Sequence, residues 1–154
     1  MNRHTTRLNR FKRIRDQLAR LIRDIPDPLA RRATAVALLH HKIPNVSWTG
    51  FYMLRGGELL VDVYQGPLAC LKLAPHTGVC WAAIDTGTPL AIPDVTAFAG
   101  HIPCDARTRS ELVVPLPGPG GEPAGVLDVD SRHLARFDTI DLEGYGLVVE
   151  TLIT

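Results

Sequence analysis

Apolar spacing along the chain switches from helical to alternating and back again. Leu8, Phe11, Ile14, Leu18, Leu21 and Ile25 recur at intervals of three and four, which predicts an amphipathic N-terminal helix. Asp27 before Pro28 reads as an N-cap with proline at the first helical position. It opens a second helix through Ala33, Val36, Ala37, Leu38 and Leu39 that ends before Pro44. The period then falls to two residues. Val46, Trp48, Gly50, Tyr52 and Leu54 face one way, while Ser47, Thr49, Phe51 and Met53 face the other. Arg55-Gly56-Gly57 turns this strand back into a partner over 58–65. Residues 67–73 read as a third strand, 79–85 as a short helix and 89–92 as another strand. The stretch 93–109 is long and irregular, a kind of loop usually kept for function or movement. Strands over 110–116 and 124–131 flank a Pro-Gly-Pro-Gly-Gly turn, and Asp138 caps a last helix carrying Ile140, Leu142, Leu147, Val148 and Leu152. Strands in the middle and helices at both ends define an α+β domain, a mostly antiparallel sheet covered by terminal helices.

Length and composition narrow the class. With 154 residues, 45% apolar and 21% charged, the chain is sized for one domain with a real core. No stretch has the length and apolarity of a membrane span or of a secretory signal, so a cytoplasmic protein is expected. Net charge is +1, but ten of the seventeen Lys and Arg and only three of the sixteen acids fall within residues 1–32. The apolar stripe assigns these arginines to the solvated face of a structural helix, not to nucleic acid or a membrane. Such a helix is also compatible with a homodimer interface.

Candidate chemistry concentrates after residue 45. In the last hairpin Leu112, Val114, Leu116, Leu127 and Val129 share one face, and Glu111, Asp128 and Asp130 share the other. A turn centred near Pro119-Gly120 sets Glu111 opposite or diagonal to the aspartates, within roughly 5–8 Å. These acids fit a water-facing edge, an ammonium site or carboxyls with raised pKa. Calcium-loop spacing is absent, so no metal is expected there. Trp48 and Tyr52, separated on their face by Gly50, outline either core packing or a notch between two walls roughly 13 Å apart.

Cys70, Cys80 and Cys104 are spaced by 10 and 24 residues, which is neither a redox nor a zinc-ribbon pattern. A zinc set with His76 and His101 can be drawn, though spacing lends it little support. Cys104 stands out, since His101, Arg107 and Arg109 nearby favour a thiolate while Asp105 opposes it. A cysteine hydrolase would use Cys104 with His101 and leave the other thiols idle. A thiol reductase would employ them, through a sulfenic acid and a disulfide.

Taken together, Trp48-x-Gly50-Phe51-Tyr52, Gln65-Gly66-x-x-Ala69-Cys70, Gly78-Val79-Cys80, Pro93-Asp94-Val95, Gly100-His101-Ile102-Pro103-Cys104-Asp105, Arg109-Ser110-Glu111, Val113-Val114-Pro115-Leu116 and Gly125-Val126-Leu127-Asp128-Val129-Asp130-Ser131 resemble the free methionine-(R)-sulfoxide reductases, which are single GAF domains. The likeness runs from about Asp27 to Leu152. It implies a GAF domain over 27–154 with a six-stranded antiparallel sheet; the basic amphipathic helix of residues 1–26 lies outside the likeness and is expected to pack on that domain. It also implies that Cys104 attacks the sulfoxide, Cys70 resolves the sulfenic acid and Cys80 is a third redox cysteine. Trp48, Tyr52, Glu111, Asp128 and Asp130 would hold free methionine sulfoxide. Electrons would come from thioredoxin, fed by NADPH through its reductase, with no bound cofactor. Trp81 departs from the family, which carries glycine after this cysteine. The competing reading is a GAF sensor that binds a small molecule, or registers oxidation, without turnover.

Overall fold

The computed structural model describes residues 2–154. Helices α1 (Arg3–Ile22) and α2 (Pro28–Lys42) come first, and the hairpin β1 (Trp48–Arg55) and β2 (Glu58–Gln65) follows. Then come β3 (Lys72–Leu73), α3 (Gly78–Thr86), β4 (Leu90–Ile92), β5 (Ser110–Pro117), β6 (Pro123–Ser131) and α4 (Thr139–Leu152). The six strands form one sheet in the order β3-β2-β1-β6-β5-β4, with every neighbouring pair antiparallel. The α+β architecture is therefore the one the pattern predicts.

Local chemistry explains most boundaries. The Asp27 carboxylate accepts from the Leu29 amide and Pro28 occupies the first turn of α2, as expected. Asp138 and Asp141 form a reciprocal capping box at the start of α4. Gly56 and Gly57 both adopt positive φ in the tight β1–β2 turn, where other residues would be strained. The expected strand over 67–73 shrinks to Lys72–Leu73, with the Leu71 carbonyl still accepting from the Val61 amide, because residues 66–70 leave the sheet and bring Cys70 against the Trp48 and Tyr52 face.

The sheet is buried on both faces. On one, Phe51, Leu112, Val114, Leu116, Leu127 and Val129 meet α1, α2 and α4. On the other, Trp48, Tyr52, Val113 and Val126 meet α3 and the loops. Helix α1 buries Phe11, Ile14, Leu18 and Ile22, whereas Leu21 is 53% exposed and Ile25 lies beyond the helix at 39% exposed. The inward stripe thus ends on Ile22 and not on Leu21 and Ile25, because the helix stops there and the chain turns toward α2. Val46 likewise precedes β1 and packs on the helix side, not on the face of Trp48. Arg7 ties α1 to α4 by pairing with Asp138 at 2.7 Å and with the buried Asp141. Among the described residues no helix is long and apolar enough to cross a membrane.

Gly144 of α4 packs directly on the ring of Phe11, and a Cβ there would overlap it. Gly144→Ala is expected to destabilise by about 1–3 kcal/mol through overpacking, despite a gain in helix propensity of about 1 kcal/mol. Gly146→Ala, with open space around it, keeps that gain. Urea midpoints moving in opposite directions for the two variants check this; parallel shifts would refute the packing argument.

Candidate active site

Strand register assembles the site. Glu111 on β5 pairs with Asp130 on β6, which pairs in turn with Trp48 on β1, and in the adjoining row Val113, Asp128 and Gly50 stand side by side. Alternation puts Glu111, Asp128, Asp130, Trp48 and Tyr52 on the sheet face turned away from α1, α2 and α4. The expected proximity of the acids is therefore present. Their reading as a water-washed edge is not, since Glu111 and Asp128 are each 6% exposed and Asp130 is half-buried. Helix α3, the 66–71 segment and the 98–109 loop roof a pocket above them.

Gly50 shapes the aromatic wall. A Cβ there would overlap the Trp48 indole and the Tyr64 Cβ. In its absence the indole leans across the strand and stacks on Tyr52 and Tyr64, with centroids 5.8 and 5.2 Å apart. The open notch between two distant walls is thus corrected to one stacked wall, since such pairs gain about 0.5–1.5 kcal/mol each beyond area burial. Tyr64 escaped the sequence reading; its cue is a β2 position directly across from Gly50. The Tyr52 hydroxyl donates to the Cys70 carbonyl at 2.9 Å and so pins the segment bearing that cysteine. Two buried polar atoms lining the pocket have no protein partner, Trp48 Nε1 and Asp128 Oδ1. Such atoms are costly when left unsatisfied, and a polar ligand can answer both.

Cys80 and Cys104 line this pocket, and Cys70 packs against the Trp48 and Tyr52 cluster beside it. Cys70 and Cys104 form a disulfide, with Cα atoms 5.4 Å apart; Cys104 is exposed and Cys70 half-buried. Cys80 is a free, buried thiol on α3, 3.9 Å from Glu111 Oε1. Trp81 leaves Cys80 unobstructed, because the next helical position points elsewhere. Its indole nitrogen donates to the Leu73 carbonyl and its ring lies 4.6 Å from that of His76. His76 pairs with Asp85 at 2.9 Å, outside the pocket, so the zinc set drawn with His76 and His101 does not assemble.

The electropositive setting expected for Cys104 is also corrected. Arg107 is held by Asp105 at 3.0 Å, Arg132 lies 3.8 Å from the same carboxylate, and Arg109 stands by Asp94. The Thr77 hydroxyl donates to the Pro75 carbonyl and does not cap α3, so the start of that helix, which lines the pocket, has no side-chain cap. Gly78, at φ +83°, lets this helix start approach Ile102 of the Cys104 loop. Sequence reasoning missed this helix start as a polar feature; the Thr77-Gly78 pair is its only cue.

A family model described as GAF domain matches residues 27–148. The chain belongs to the GAF-domain family. It is 42% identical to protein YtsP of Bacillus subtilis, over 88% of this chain and 84% of that one. It is 38% identical to the free methionine-R-sulfoxide reductase of Escherichia coli, over 80% of this chain and 74% of the relative. A structure of free methionine-R-sulfoxide reductase from Neisseria meningitidis in complex with its substrate superposes with a TM-score of 0.87 at 36% identity, covering 92% and 85% of the two chains. Homology at this level supports an oxidoreductase, as the motifs led one to expect.

Electrostatics in this GAF domain follow from burial. The Glu111 carboxyl is pushed up to about 8, first by desolvation and then by the charge of Asp130. Asp128 rises well above the ordinary carboxylate range through burial and Glu111, and Asp130 through lost solvation, Asp128 and Asp105. Burial and the same acids raise the Cys80 thiol, while burial lowers His101. The shifts of the pocket acids and of Cys80 all favour their protonated forms.

Linkage gives these shifts a sign. Between pH 4.5 and 8 the folded protein holds a proton on Glu111 that the unfolded chain releases, so this group makes stability fall as pH rises across that window. Glu111→Gln is expected to flatten the decline, which denaturation at both ends of the window checks; an unchanged slope would assign the proton elsewhere.

Proposed function

We propose that this protein is a cytoplasmic reductase that converts free L-methionine (R)-sulfoxide to methionine, using Cys104 and Cys70 as its redox pair and thioredoxin as electron donor. The observation that carries the reading is a buried, unpartnered carboxylate oxygen on Asp128, in a pocket lined by Cys104, whose sulfur is bonded to that of Cys70. Asp128 and Asp130 receive the substrate ammonium, whose charge offsets their desolvation. A peptide-bound residue has an acylated, uncharged nitrogen and leaves these acids unanswered, which favours the free amino acid. The uncapped amides of α3 suit the substrate carboxylate. The Trp48, Tyr52 and Tyr64 wall suits the methylsulfinyl end.

In the reduced enzyme the Cys104 thiolate attacks the sulfoxide sulfur. Glu111, whose carboxyl is pushed up to about 8, donates a proton to the sulfoxide oxygen. The protonated oxygen passes from the substrate sulfur to the Cys104 sulfur as the transient sulfur–sulfur bond breaks, its electron pair returning to the substrate sulfur, so that methionine leaves and Cys104 becomes a sulfenic acid. Cys70 then attacks that sulfur, expelling water and closing the disulfide, and a thioredoxin dithiol returns the two electrons. Cys80 stands by as a third redox thiol beside Glu111, and no bound cofactor enters the cycle.

The deciding assay follows NADPH oxidation through thioredoxin reductase and thioredoxin, with each free epimer and a peptide-bound control. Turnover is expected on the free R epimer alone, lost in Cys104→Ser and lowered in kcat by about 10²–10⁴ in Glu111→Gln. Binding of the sulfoxide without any turnover by the reduced protein would replace the enzyme with a GAF sensor.

A further inference from the structure

Cys80 is the one cysteine outside the disulfide, and it lies against two buried carboxyls. Cys80, Glu111 and Asp128 each offer one donor atom, and these atoms all lie within 4.8 Å of one another. Tetrahedral zinc, with sulfur at about 2.3 Å and oxygen at about 2.0–2.2 Å, holds its sulfur and oxygen donors about 3.5 Å apart. The Cys80 Sγ to Glu111 Oε1 distance is already 3.9 Å, so modest side-chain movement completes the geometry. A second observation points into the same space. Asp128 Oδ1 is buried with no hydrogen-bond partner, and its carboxyl lies against both Glu111 and Cys80. The pocket that these residues line gives a route in. A thiolate with two carboxylates suits a thiophilic ion, not calcium or magnesium, which prefer six or more oxygens.

We propose that Cys80, Glu111 and Asp128 form a binding site for a thiophilic divalent cation, zinc or cadmium, which excludes methionine sulfoxide from the pocket. Binding forms one sulfur–metal and two oxygen–metal bonds and releases the protons of those groups to solvent, with no change of oxidation state. The site does not depend on the redox state of Cys70 and Cys104. Competition with substrate does rest on the proposed reductase function, because both occupants then need Asp128.

Cadmium chloride titrated into the full chain with its Cys70–Cys104 disulfide intact isolates the site, since only Cys80 can then supply a thiolate. The readout is the ultraviolet cadmium–thiolate charge-transfer band. One cadmium per chain is expected, with the band absent in Cys80→Ser and affinity weakened at least about tenfold in Asp128→Asn and Glu111→Gln. These two near-isosteric variants decide the matter if Cys80→Ser fails to fold. No band, or a band of undiminished affinity in both carboxyl variants, would overturn the site. Free methionine sulfoxide is expected to raise the apparent cadmium dissociation constant; no effect would overturn the competition. Cadmium binding in a protein without reductase turnover would sink the reductase and leave the metal site standing.

Discussion

Burying Glu111 and Asp128 on an inner sheet face sets the terms for the surrounding structure. Carboxylates removed from water are costly unless they are protonated, paired or given a cation, and here the pairing of β5, β6 and β1 brings three of them together. Their burial favours the protonated forms, and Asp128 Oδ1 is without a partner. The same property makes the pocket receptive to a cation and able to give up a proton, the two services that reduction of an amino-acid sulfoxide requires.

Such a site depends on stability supplied elsewhere. The opposite sheet face is packed by α1, α2 and α4 around Phe11, Leu18, Leu39, Phe51, Leu127 and Tyr145, all at most 2% exposed. With the helices on that side, the reactive face is left to α3 and to two irregular segments that carry Cys70 and Cys104. The division has a physical logic. A rigid layer holds the strand register, while segments outside the ladder bring two thiols together across the pocket. Tyr52 links the layers, with its ring in the aromatic wall and its hydroxyl on the Cys70 carbonyl.

Much of this was legible from local pattern. The Asp27 and Asp138 caps, the glycine turn and the face-sharing of Glu111, Asp128 and Asp130 follow from short-range rules of spacing and backbone preference. The reading failed where distant elements arbitrate. Trp48 and Tyr52 were placed by strand rise, but the indole rotates over Gly50 toward Tyr64, a residue on another strand. Arg107 was counted toward the Cys104 environment by nearness in sequence, yet Asp105 holds it. Residues 67–71 alternate well enough for a strand, but Cys70 is drawn out of the ladder toward Cys104.

Periodicity, caps and turn residues alone placed the elements and put the acids on one face, because both depend on dihedral preferences and side-chain direction within a few residues. The resemblance of spaced motifs then named the family. The burial of those acids, the choice of Cys70 over Cys80 as the disulfide partner of Cys104, and the closing of the aromatic wall were decided in three dimensions. Solvation and close approach depend on what other segments lay over a face, and no spacing along one strand carries that information.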